Sequence, residues 1–223
     1  MSSTSQPPSN GRLTSHSESV HPTPSHPRAW SDLWYLGESS LWDRGVPSPA
    51  LIGLLESYQD TFLHPFNGTR KRRKRALVQD CGCGYDVLTL ALHGFDAYGL
   101  EVSATAASNY GETFDRERAR NIGIGEMQFV QGGFFADTWI ENESLVFLCA
   151  LHPAQRTRWA EGMAELLRPG CMLVCLEFPM YKDPALPEPP WGVNGVHWDL
   201  LAGGDAGQGE FTRKVYVQPE RTF

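Results

Sequence analysis

Asp80, Gly82, Gly84 and Glu101 are the residues of this 223-residue chain whose types and spacing best suit chemistry. Gly82 and Gly84 let the backbone turn sharply and approach a ligand with no Cβ in the way. Glu101 stands 17 residues past Gly84, at the end of the next apolar segment, where an acid can accept both hydroxyl protons of a nucleotide ribose. Two familiar nucleotide loops do not match. A dinucleotide fold wants a third glycine where this chain has Val87, and a phosphate loop wants Lys then Ser or Thr where it has Tyr85 and Asp86. Tyr-Asp would repel phosphate, so the acidic rim suits a positively charged ligand. The bland alternative is an ordinary tight turn in an α/β protein.

Holding these residues in place takes a strand, a glycine turn and a helix. Ala76, Leu77 and Val78 form the apolar run that Asp80 ends, Val87, Leu90 and Ala91 recur at helical spacing, and Gly94 suits the position just past a helix end. Residues 95–100, 127–130, 145–151 and 171–178 read as further strands, the last of these continuously apolar as an interior parallel strand should be. Residues 211–217 alternate and read as a final strand. Ser48 and Pro49 start a helix with a Leu51, Leu54, Leu55 and Tyr58 stripe. Ser103 caps a second over about 104–120, Pro153 opens a third whose stripe is Trp159, Met163, Leu166 and Leu167, and residues 198–201 form a short fourth. Residues 59–75 read as a loop. Strands alternating with helices predict an α/β fold with a doubly wound, mostly parallel sheet.

Aromatic residues flank this frame. Trp30 and Trp34, four apart, share one helix face, and with Trp42 they either staple the N-terminal segment to the core or line a cavity for a positively charged ligand, because indole faces attract cations. In residues 132–135, Phe134 and Phe135 are placed to flank an adenine.

A hydrophobic content of 41% and a charged content of 20% suit one globular domain, residues 29–223, behind a Ser- and Pro-rich tail, residues 1–28, too polar to offset the entropy of ordering. No apolar run approaches the roughly 20 residues that span a bilayer. A soluble, cytoplasmic monomer without membrane partners is expected. The five cysteines, 81, 83, 149, 171 and 175, form no C-x-x-C pair and read as reduced buried thiols, not metal ligands. The formal charge is -7 although residues 70–75 carry six positive charges. That basic run has no interleaved aromatics and reads as a solvated loop, with no nucleic-acid partner.

From about Trp30 onward the chain resembles the thiol, thiopurine and halide methyltransferase family, its fungal members especially. The similarity is carried by Trp42-Asp43-Arg44-Gly45 and by residues 78–86, 99–103, 133–135, 147–151, 156–159 and 189–193. Asp80, Gly82 and Gly84 with Glu101 also look like the S-adenosylmethionine site of class I methyltransferases. The resemblance implies a class I, Rossmann-like fold, a seven-stranded sheet ending in an antiparallel hairpin, S-adenosyl-L-methionine as cofactor, and methyl transfer to a small-molecule thiol or halide. By this match Trp30, Trp34 and Trp42 line the cofactor pocket, Gly82 and Gly84 face the methionine end, and Glu101 holds the ribose.

The chain departs from the family in four places. Gln79 and Asp80 replace a Pro-Gly pair, and Gly133 stands where an acid recognises the adenine amino group. A strand normally found just before the segment matching residues 147–151 is missing, and the family continues past Phe223 into a last strand. The expectation is that residues 144–149 are drafted into the vacated position as strand four. An inactive or truncated methyltransferase-like protein, acting at most as a binding module, and methylation of oxygen or nitrogen in a secondary metabolite are the rival readings. Transfer from a sulfonium is an in-line displacement that mainly needs positioning and exclusion of water. No acid-base dyad is legible in the sequence. Arg156, Arg158 and Lys182 either favour an anionic acceptor or are exposed helix charges.

Overall fold

The computed structural model describes residues 26–58, 64–67, 72–108, 125–135, 144–146, 151, 153–167, 171–177, 182–183, 191–193 and 195–203. Helix α1, His26–Tyr35, begins inside the segment expected to be a tail, with Pro27 in a first turn whose N–H groups lack helical partners anyway. The rest of that tail lies outside the described residues. Helix α2, Pro49–Tyr58, starts as expected, because the Leu51 N–H donates to Ser48 Oγ at 3.4 Å.

The expected loop before the glycine turn is partly a hairpin. Strand β1, Phe66–Asn67, pairs antiparallel with β2, Arg72–Arg73. The basic run is therefore not simply a solvated loop. Arg73 donates to the Gly94 carbonyl at 2.8 Å and lies 5.2 Å from the Phe66 ring centre, while Arg72 and Arg75 remain exposed.

Strand β3, Arg75–Gln79, buries Leu77, Val78 and Gln79 and runs through the glycine turn into α3, Tyr85–Leu92. That helix ends because Gly94 adopts a left-handed conformation, with φ 94°. The Phe95 N–H then reaches Leu90 O and the Gly94 N–H reaches Ala91 O, which is a Schellman cap. The chain returns as β4, Asp96–Glu101, passes through α4, Ala104–Ser108, and continues as β5, Met127–Gln131. The rest of the helix expected over 104–120 lies outside the described residues.

Strand β6, Ser144–Val146, pairs in parallel with β3 on one side and with β7, Val174–Cys175, on the other. The five-stranded order is β5-β4-β3-β6-β7, all parallel. The run beginning at Ser144 thus stands where the missing central strand was expected, over three residues; residues 147–150 lie outside the described ones. Of the strand expected over 171–178, Val174 and Cys175 are the ones that join the ladder among the described residues. The described part of the segment keeps the alternation of a strand, because Met172 and Val174 pack on one core cluster and Leu173 on the other.

Those clusters sit on opposite faces of the sheet. One gathers Leu51, Leu55, Val78, Val87, Leu90, Ala91, Phe95 and Ala97 under α2 and α3. The other lies under α5, Arg156–Leu166, which is entered through a 3-10 turn, Pro153–Gln155, in place of the α-turn expected at Pro153. It gathers Trp159, Ala160, Met163, Val193 and Leu201. Helix α6, Val196–Trp198, runs into a π-turn over Asp199–Gly203, covering the short helix expected there. The strand expected over 211–217 and the terminal hairpin lie outside the described residues. Among those residues no helix is long and apolar enough to cross a membrane.

Candidate functional site

Strand succession reverses beside β3: the chain moves from β3 out to β4 and β5, then returns to β6 on the other side. In a doubly wound sheet the crevice for a ligand opens at such a switch point, outside the carboxyl ends of the strands. The sequence-singled residues gather there.

Asp80 follows β3 with φ 48°, the one positive φ among the described non-glycine residues. An aspartate tolerates this left-handed backbone better than most residues, at about 1–2 kcal/mol. Gly82 and Gly84 continue the turn with φ 53° and 75°. A Cβ on Gly82 would come 3.3 Å from the Trp34 ring, so the glycine keeps the turn closely packed under that indole. The Glu101 carboxylate spans the turn. One oxygen accepts the Gly82 N–H at 2.9 Å, and the other accepts the Ser103 N–H at 2.7 Å. Burial raises the Glu101 pKa, while the N–H groups of Ser103, Gly82 and Val102 oppose that rise. Asp80 retains accessible surface although protein crowds it on its other sides. That crowding lifts its carboxyl to about 7, and the Glu101 charge adds to the rise.

The tryptophans close one wall. Trp42 meets Trp30 and Trp34 edge to face, with ring centres 5.1 and 5.5 Å apart. The segment is tied to the turn by the Ser48 N–H donating to Asp86 Oδ1 at 2.7 Å and by Cys83 Sγ lying 3.6 Å from Asp43 Oδ2. Phe134 lies beyond β5, packed edge to face on Phe135 and towards Gly162 of α5, in the cluster on the opposite face from α3. It therefore packs with the cluster under α5. A Cβ on Gly133 would meet nothing within 4 Å, so space remains where the expected acid is missing.

Arg156 corrects an expectation. It is buried, and both terminal nitrogens donate to the Gly192 carbonyl at 3.3 Å. Arg158 is exposed as expected, stacked 4.6 Å over Phe135. Sequence reading also missed a buried polar group beside Arg156. The Trp159 indole N–H donates to Gln79 Oε1 at 3.4 Å, and the His197 ring stands edge to face on Trp159 at 5.8 Å. His197 Nδ1 lies 3.5 Å from Glu177 Oε1. Burial holds the imidazole neutral, well below its ordinary range; the Arg156 charge adds to this and Glu177 opposes it. The one available signal was Gln79, a polar residue at the end of a buried strand. Nothing local marks His197 or Glu177, which are 20 residues apart.

The sequence profile described as Thiopurine S-methyltransferase (TPMT) matches residues 28–219. The chain belongs to that family. Among relatives, the probable thiol methyltransferase 2 of Arabidopsis thaliana is 33% identical over 178 residues, 77% of this chain and 70% of the relative. The thiocyanate methyltransferase 1 of Brassica oleracea is 31% identical over 157 residues, 68% of this chain and 62% of the relative. The chain therefore spans only part of each. A solved structure from work on conversion of a disulfide bond into a thioacetal group during echinomycin biosynthesis aligns with a TM-score of 0.51 at 24% identity. It covers 71% of this chain and 61% of that one. The α/β sheet described above is thus the class I methyltransferase fold expected from the sequence. A buried carboxylate beside a left-handed glycine turn, with indole rings close by, is a donor set compatible in its chemistry with a nucleoside-bearing sulfonium cofactor.

Proposed function

We propose that the chain transfers a methyl group from S-adenosyl-L-methionine to a small-molecule thiol, or to a halide. The observation that carries this reading is the convergence of Asp80, Gly82, Gly84 and Glu101 with the Trp30, Trp34 and Trp42 wall at the switch point of the sheet. In this reading Glu101 orients the ribose, the glycine turn admits the methionine end, and Asp80 and the indole faces favour positive charge. Phe134 borders the adenine. The cofactor, when bound, supplies an activated methyl on a positively charged sulfur. The protein's part is to hold an acceptor in line with that carbon and to keep water out. A thiol suits such a transfer because its conjugate base is strongly nucleophilic, and a halide needs no deprotonation.

The protein works as a cytoplasmic monomer in this reading, and its partners are small molecules. The test is incubation with methyl-labelled cofactor and a panel of alkyl and aryl thiols, thiocyanate, iodide, phenols and amines, with products identified by mass. Methylated sulfur or methyl iodide is the expected outcome. Label confined to oxygen or nitrogen acceptors would overturn the choice of acceptor, and no transfer by a folded, cofactor-binding sample would favour a binding role.

A further inference from the structure

The crevice has two sides. The cofactor-directed groups lie towards β4, whereas Gln79, Trp159, His197 and Glu177 lie towards β6 and β7, all at the carboxyl edge of a parallel sheet. A continuous set of contacts links the two sides, from Asp80 to its neighbour Gln79, then to the Trp159 indole, the His197 ring and the Glu177 carboxylate. Two members of the set hold a buried polar atom with no hydrogen-bond partner, Gln79 Nε2 and His197 Nε2, while His197 Nδ1 faces Glu177. Gln79 is 1% and His197 4% exposed. Each such atom has given up its hydrogen bonds to water with nothing in return. Groups left this way in a sheet's ligand crevice are set to meet polar atoms of a ligand.

We propose that Glu177 and His197 form a carboxylate-imidazole dyad that receives the proton of a thiol acceptor, with Gln79 Nε2 as a donor at the same subsite. This rests on the reading of the chain as a thiol methyltransferase. With Nδ1–H turned towards Glu177, Nε2 keeps its lone pair. The 3.5 Å separation is longer than a formed hydrogen bond, and such contacts often tighten when substrate binds. The charged groups facing the ring are Glu177, just past β7, and Arg156, on α5. Glu177 is itself held by the Gly195 N–H, which donates to Oε2 at 3.3 Å. As the acceptor sulfur bonds to the methyl carbon, its proton passes to Nε2. The electron pair of the breaking carbon–sulfonium bond stays with the departing sulfur, giving two neutral thioethers and one imidazolium. Glu177 stabilises that imidazolium until it returns its proton to solvent.

The test compares His197→Gln and Glu177→Gln with the parent protein, using benzyl mercaptan, which carries a proton, and iodide, which does not. Thiol turnover near neutral pH is expected to fall about 100-fold or more in His197→Gln, less in Glu177→Gln, while iodide turnover changes less than about threefold. A second readout needs no turnover. The His197 Hε1 resonance, assigned by its loss in His197→Gln, is expected to shift when benzyl mercaptan is added with the demethylated cofactor product present, because the thiol S–H then donates to Nε2. Equal losses with both acceptors, or no loss with the thiol, would overturn the proposal, as would an unmoved resonance. Failure of the parent protein to methylate either acceptor would instead overturn the functional reading, and the resonance would still report on the dyad.

Discussion

Asp80 concentrates two costs in one residue, a left-handed backbone and a carboxyl that its surroundings disfavour as an anion. With its pKa raised to about 7, against about 3.9 in an unfolded chain, the folded state holds more protons between those values. By linkage, stability contributed at this group is fully present at the low end and is lost as pH rises towards 7. Thermal unfolding of the parent chain from pH 5 to 8 should therefore decline relative to Asp80→Asn, which cannot titrate. A cationic ligand should reverse the preference, so binding near pH 7 should release protons, seen as a dependence of binding heat on buffer ionisation enthalpy. Gly133 offers a gain. Its open surroundings accommodate a side chain, and Gly133→Asp should tighten cofactor binding about tenfold by supplying the missing acceptor for the adenine amino group, as measured by calorimetry.

At the scale of elements, the glycine turn and its flanking strand and helix were legible because local rules decide them. Apolar β3 residues, positive-φ glycines and the Gly94 cap each act within a few positions. The placement of Ser144–Val146 between β3 and β7 was also legible, though only because losing a central strand leaves a gap that some apolar run must fill. Long-range pairing was not legible. Residues 59–75 cannot reveal a β1–β2 ladder anchored by Arg73, because its two strands are joined by pairing and not by a local signal. The dyad escaped for the same reason, since Glu177 and His197 meet through tertiary packing alone. A proline in β6 would remove a backbone donor from a strand flanked on both sides and clash with its neighbours. Leu145→Pro should lower unfolding free energy by about 3 kcal/mol or more, a large part of the roughly 5–15 kcal/mol typical of a domain; denaturant titration checks this.

Across the whole molecule, the crevice is assembled from parts distant in sequence. The N-terminal tryptophan segment is tied to α3 through Ser48 and Asp86, and the α5 side reaches the same edge through Trp159 and Gln79. Glu101 is the hinge of this arrangement, because its carboxylate links the glycine turn to the start of α4. The most direct measurement is calorimetric titration of the intact chain with S-adenosylmethionine and with its demethylated product, repeated on Glu101→Ala shown to be folded by its thermal transition. Micromolar binding, about 8 kcal/mol, that weakens at least 100-fold in the variant is the predicted result. A folded parent chain that binds neither compound, or a Glu101→Ala variant that binds as tightly as the parent, would contradict the assignment of this crevice as the cofactor site.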